Sequence, residues 1–299
     1  MTGRDSFLCC GVRVDGLGPE SAVRALVESR YGVARAAHLC NSYTLALALR
    51  DHGYRDALNG GDLNLADGFY VARVGRWRGH RDMTARAYGP EIMFATIDQG
   101  RERGLRHYLY GASPKTVARL AEVLRERYPG VQIVGTESPP FRPLHPAEDR
   151  DLAARVARAR PDIIWVGIGT PRQDYFVAQY TRTLRCTVVP VGAAFDFNAG
   201  TKKSAPAFVK RTGFEWLYRF FQEPRRLWRR YLIGIPTFVA GVLTDGLRRA
   251  PQAAPQPAPP VQMPAPAPLP RRNGEAVPTV PPQRYVACDP HTTVTDAVS

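Results

Sequence analysis

The chain has 299 residues, 44% of them hydrophobic, and a net charge of +14, which allows one large or two small domains with an ample core. The charge implies an anionic partner, whether nucleic acid, a nucleotide or a membrane surface. Five cysteines (Cys9, Cys10, Cys40, Cys186, Cys288) are odd in number, match no zinc spacing and fit a reducing cytosol. No run of about 18 apolar residues marks a spanning helix, and the polar N-terminus lacks signal-peptide architecture.

In chain order, residues 1–35 predict a short strand, a turn at Arg13–Val14–Asp15–Gly16 and a helix starting near Pro19 and Glu20. Ala36 to Asn41 reads as a strand, Tyr43 to Asn59 as a helix, and Asp62 to Ala66 as a second strand closing on Asp67–Gly68. A third strand, Leu105 to Tyr110, leads through Gly111 to a helix over Pro114 to Tyr128; Val131 to Gly135 is the fourth. A helix over 146–159 precedes Asp162–Gly167, whose DIIWVG run has the continuous apolar character of a strand buried on both faces. A helix over 172–183 and a sixth strand, Cys186 to Val191, complete the alternation. This pattern predicts an α/β domain, residues 1–200, with a Rossmann-like, mostly parallel sheet and flanking helices. Ligands of such sheets bind beyond the carboxyl ends of the strands. Asn41, Asp67, Gly111, Gly169 and Asp196 fall there.

The next segment, 201–249, changes character. From Lys202 to Arg230 there are nine basic residues against Glu215 and Glu223, half of the chain's net charge. Arg219, Arg226 and Arg229 share one face if the helix is continuous, and a row of guanidinium forks suits a polyphosphate. A charge run is ordinarily a solvated face, but Trp216, Tyr218, Phe220, Phe221, Trp228 and Tyr231 interleave with these charges, which favours a binding surface. The apolar stretch from Tyr231 to Leu247 is broken by Gly234, Pro236, Gly241 and Asp245 and reads as a helix lying on a membrane. Beyond Ala250, 13 of the 27 prolines sit among Ala and Gln, the composition of a disordered tail over 250–299.

Among the loops, Asp67 places a carboxylate just after a strand; Asp–Gly is also a common turn dipeptide, yet the position at a sheet's ligand edge fits a general base. Gly167–Ile168–Gly169–Thr170–Pro171–Arg172–Gln173 fails the dinucleotide fingerprint, with Arg172 where the third glycine belongs. Its backbone N–H groups at a helix start still suit an anion or sugar. Asp149–Arg150–Asp151 spells a D-x-D, but in the first turn of a helix, where acids complement the dipole. The six histidines show no metal-ligand spacing, so no metal and no cofactor are expected.

Taken together, NSYTLALA (41–48), LADGFYVAR (65–73), YGPEIM (88–93), YLYGASPKTVARLAEVL (108–124), DIIWVGIGTPRQDYF (162–176) and GAAFDFNAG…EWLYRFFQEPRRLWRRYL (192–232) resemble the WecG/TagA/CpsF family of bacterial glycosyltransferases. The resemblance implies inverting, metal-independent transfer from a UDP-sugar to a saccharide on a polyprenyl diphosphate. It also implies an enzyme recruited by its C-terminal appendage to the cytoplasmic face of the plasma membrane. By motif, Asp67 matches the general base, Arg86 the pocket arginine, and Gln173 a residue of the same pocket. Arg219, Arg226 and Arg229 match appendage arginines that reach the diphosphate. Leu39 stands where the family often has Thr. The alternative, a nucleic-acid binder, would use the same Arg/aromatic stretch; the charge beside an apolar, Pro-broken helix suits lipid phosphates better, so no nucleic acid is expected.

Overall fold

The computed structural model describes residues 5–201, 206, 215–222 and 224–245; the side chains of Arg219, Gln222, Arg226 and Arg229 lie outside that description, as does the expected Pro-rich tail. A hairpin opens the chain, β1 (Ser6–Cys9) against β2 (Val12–Asp15). Its turn falls at Cys10–Gly11, not at the expected Arg13–Gly16. Both turn residues have positive φ, 55° and 74°, the combination that matches the right-handed twist of a two-residue hairpin. Arg13 to Asp15 therefore belong to a strand. The buried Asp15 accepts a hydrogen bond at 2.7 Å from the N–H of Asn64 on the main sheet.

After α1 (Pro19–Val27) come β3 (Arg35–Cys40), α2 (Ser42–Arg50), α3 (His52–Asn59) and β4 (Leu63–Ala66). The single helix expected over 43–59 is broken at Asp51, which takes extended backbone and accepts from the N–H of Tyr54 to cap the second piece. Helices α4 (Phe69–Trp77) and α5 (Gly89–Gly100) carry no predicted element; α4 follows Gly68 without a side-chain cap, whereas α5 has Pro90 and Glu91 in its first turn, a start signal that sequence reasoning passed over. The remainder of the core is β5 (Arg106–Gly111), α6 (Pro114–Arg127), β6 (Gln132–Glu137), α7 (Pro146–Ala159), β7 (Ile163–Gly167), α8 (Arg172–Leu184), β8 (Thr187–Pro190) and the short α9 (Ala194–Asn198).

The main sheet has the order β4-β3-β8-β7-β5-β6, and every pairing is parallel. Alternate residues of β7 face opposite layers, as period-two geometry requires. Ile163 and Trp165 join a core with Leu26, Ile97, Leu120 and Leu124 on one side. Ile164 and Val166 join Val156, Phe176 and Val177 on the other. The chain leaves β5 toward one edge and β7 toward the other, so their carboxyl ends flank a switch point, the usual ligand crevice of an open α/β sheet.

The C-terminal segment forms three helices, α10 (Glu215–Gln222), α11 (Pro224–Leu232) and α12 (Gly234–Asp245). Arg219 thus sits on a different helix from Arg226 and Arg229, which overturns the expectation of one continuous face. Pro224, the first residue of α11, cannot continue a helix through its missing N–H. Helix α12 lies against the core. Its Phe238 is buried with Cys10, Leu45 and Tyr175, and Asp245 accepts from the backbone N–H of Cys10.

Candidate active site

Asp67 and Asn41 follow directly from β4 and β3, neighbours in the sheet. Asn41 ends its strand in extended backbone and caps α2, its Oδ1 accepting from the N–H groups of Tyr43 at 3.0 Å and Thr44 at 3.2 Å. Its Nδ2 makes no hydrogen bond among the described residues. Asp67 is held in the same way at one oxygen: Oδ1 accepts from the N–H of Gly89 at 2.9 Å. A side chain at Gly89 would meet Leu39 Cδ1 at 3.0 Å, so a glycine permits this close approach. The second carboxylate oxygen has no partner among the described residues.

These residues line a cleft of about 700 Å³, counting space open to solvent, between the strand ends and the C-terminal helices. Arg86 and Tyr88 form one wall, Trp216, Arg230 and Tyr231 the opposite one. The Arg86 guanidinium stacks 4.0 Å above the Tyr88 ring and pairs with Glu215. The Arg230 guanidinium stands 4.5 Å over the Tyr43 ring. Trp216 packs on Tyr231 at 5.5 Å, and its buried indole N–H meets no acceptor among the described residues. The cleft therefore offers a carboxylate anchored on one oxygen and two guanidinium groups, one of them already paired with Glu215. Such a set can take a proton from a hydroxyl and bear negative charge on a neighbouring group.

The sequence profile of the glycosyl transferase WecG/TagA/CpsF family matches residues 7–252. The chain belongs to this family. Among its relatives, the N-acetylglucosaminyldiphosphoundecaprenol N-acetyl-beta-D-mannosaminyltransferase of Bacillus spizizenii is 29% identical over 197 residues, spanning 66% of this chain and 74% of the relative. The protein of the same name from Bacillus subtilis is 28% identical over 200 residues, 66% and 75% of the two chains.

The other expected site residues of this glycosyl transferase are placed elsewhere. Gln173 is buried at the start of α8 and is not among the residues that line the Asp67 cleft. Its Oε1 accepts from the Gly169 N–H at 3.2 Å, and its Nε2 donates to Thr170 Oγ1 at 3.3 Å. The amide thus spends its hydrogen bonds on the loop that follows β7. Gly111 ends β5 at φ 143°, where a Cβ would sit 2.6 Å from the Gly167 carbonyl carbon; it lets two strand ends touch at the switch point. Asp196 lies in the first turn of α9, with its carbonyl receiving the N–H and hydroxyl of Thr201 at 3.0 Å each. In the D-x-D, Asp149 sits in the first turn of α7 and accepts from the Tyr180 hydroxyl, while Asp151 is exposed. Among the described residues no cluster of three His, Cys, Asp or Glu side chains could hold a metal. The expected roles of Arg219, Arg226 and Arg229 rest on side chains outside the described residues.

Sequence reasoning missed Tyr88, Glu215, Trp216 and Arg230. One local signal marks Glu215: it is one of two acids in a run with nine bases.

Proposed function

We propose that the enzyme transfers a hexosaminyl residue from a UDP-sugar, with inversion and without a divalent ion, to a saccharide carried on a polyprenyl diphosphate. The observation that carries this reading is Asp67, with one oxygen fixed by Gly89 and the other without a partner among the described residues, in an arginine-walled cleft. The acceptor hydroxyl gives its proton to Asp67 as its oxygen attacks the anomeric carbon. The bond to UDP breaks on the opposite face, inverting the centre, and the electron pair leaves with the diphosphate. Arg86 and Arg230 offset that charge. The names of the two Bacillus relatives support the acceptor class and the transferred sugar.

Membrane attachment fits the outer surface of α11 and α12. Trp228, Leu232, Ile233, Val239 and Leu243 are exposed there, Leu232 and Leu243 by 67% and 68%. No helix among the described residues is long and apolar enough to cross a bilayer. An exposed apolar strip beside basic residues is the composition of an interfacial helix.

The test is a panel of UDP-sugars against an N-acetylglucosaminyl-diphosphate lipid, with product anomers assigned by NMR and parallel reactions in EDTA. Transfer with inverted configuration that survives EDTA is expected. Retention of configuration, or complete loss in EDTA with rescue by manganese or magnesium, would overturn the mechanism and return attention to Asp149 and Asp151.

A further inference from the structure

The four residues Arg86–Ala87–Tyr88–Gly89 connect two parts of the molecule by alternating the direction of their contacts. Arg86 and Tyr88 reach the C-terminal helices: the guanidinium donates to Glu215 Oε2 and the phenol to Glu215 Oε1 at 3.0 Å. Ala87 and Gly89 reach the sheet: the first donates its N–H to the Ala66 carbonyl at 2.8 Å, the second to Asp67 Oδ1 at 2.9 Å. The Tyr88 N–H turns back onto the Arg86 carbonyl at 3.0 Å and Gly89 opens α5, so these residues form a tight turn that runs directly into a helix start. Glu215, the first residue of α10, is only 6% exposed. This buried carboxylate faces a guanidinium and a phenol together, which offsets the cost of its desolvation. On the other side of the segment, the Gly89 N–H supplies the one hydrogen bond that the Asp67 carboxylate accepts among the described residues.

We infer that Glu215 is a positioning residue that couples docking of the C-terminal helices to the orientation of Asp67, acting through the Arg86–Gly89 segment. The inference rests on the reading of Asp67 as general base. With α10 seated, Glu215 fixes Arg86 and Tyr88, and with them the turn that leads into α5 and presents the Gly89 N–H to the carboxylate. With α10 displaced, the segment loses both outward contacts and the carboxylate loses its aim. The base is then competent only when the appendage covers the site.

The test uses the full chain, with UDP-N-acetylmannosamine and an N-acetylglucosaminyl-diphosphate lipid as substrates, and four variants: Glu215→Ala, Glu215→Gln, Asp67→Asn and the Glu215→Ala/Asp67→Asn double. Glu215→Ala is expected to lower kcat about 100-fold, the scale of a 1 Å misplacement, with the donor KM within about threefold. Glu215→Gln retains an acceptor for Arg86, and its amide can donate to the Tyr88 hydroxyl. It should recover kcat to within about fivefold of the wild type. Because residues acting through one group are non-additive, Glu215→Ala should cost less than about threefold more in the Asp67→Asn background. If Asp67→Asn is impaired while Glu215→Ala turns over like the wild type, the coupling is wrong and the base assignment stands. Full multiplication of the two losses also overturns the coupling. If Asp67→Asn is itself near wild type, the base assignment falls first and the inference with it. Should Glu215→Ala fail to fold by circular dichroism, Tyr88→Phe takes its place in the same cycle. It should lose about tenfold, again without multiplying, and a multiplying loss would refute the coupling.

Discussion

Replacing Asp67 by Asn isolates proton transfer from architecture. The two side chains are nearly isosteric, and the Asn carbonyl oxygen can still accept the Gly89 N–H that now meets Asp67 Oδ1 at 2.9 Å. The anchored oxygen is therefore preserved and only the second one changes, from a carboxylate oxygen to an amide donor. Stability should move little, by about 0.5 kcal/mol or less, as expected where no buried contact is lost. Loss of general-base assistance costs about 10²–10⁴ in rate, which corresponds to about 2.7–5.4 kcal/mol of barrier at 1.36 kcal/mol per decade. Initial rates of UDP release would be measured beside thermal denaturation and donor binding by calorimetry. The expected variant folds and binds donor normally but scarcely turns over. Turnover within a few-fold of the wild type, at unchanged melting temperature, would remove Asp67 from the chemistry.

Three further outcomes follow from packing and burial. Gly111→Ala should be destabilising by about 2–3 kcal/mol, because its Cβ would lie 2.6 Å from the Gly167 carbonyl group at a φ of 143° that L-residues rarely adopt; an unchanged melting curve would show that the strand ends are less tightly apposed. His107 is fully buried, accepts the Trp165 indole N–H at Nδ1, and has its pKa pushed down to about 3 by burial. The unfolded chain takes a proton below pH about 6.5 that the folded protein refuses, so this contribution is complete above about pH 6.5 and is lost as pH falls toward 3, by up to about 1.4 kcal/mol per pH unit. His107→Gln should flatten that acid loss in urea titrations between pH 7 and 4.5, and equal losses in both proteins would refute it. Leu232→Asp with Leu243→Asp should release the protein from anionic liposomes in co-sedimentation while leaving its circular dichroism intact, since both side chains are largely exposed; unchanged pelleting would place the membrane contact elsewhere.

Much of the sheet was legible because its signals are local. The DIIWVG run declares a strand with two buried faces, and Pro114 and Pro146 mark helix starts where they are found. The hairpin turn was misread because Cys10 is an unusual residue for φ 55°, imposed by pairing of the flanking strands rather than by its own preference. The placement of Asp67 and Asn41 side by side was legible because a parallel sheet sends all strand ends to one edge, so position in the element order already predicts proximity.

The rest of the cleft was illegible for the opposite reason. Glu215 lies 129 residues from Arg86 in sequence, and no spacing rule connects an acid opening one helix to an arginine on a distant loop. The basic run drew attention through its charge, and the guanidinium row seemed its active feature. Among the described residues, Arg230 of that run stacks on Tyr43, and the acid Glu215 pairs with Arg86 and Tyr88 for a physical reason of its own. A C-terminal segment carrying this much positive charge, four of its arginines on α11 alone, gains little by approaching a wall that already holds Arg86, unless one carboxylate sits between them. Glu215 is that carboxylate. Its presence offsets like-charge repulsion between a basic appendage and a wall that holds Arg86 and, under the proposed reading, lets cations gather around a diphosphate while the free cleft stays electrostatically tolerable.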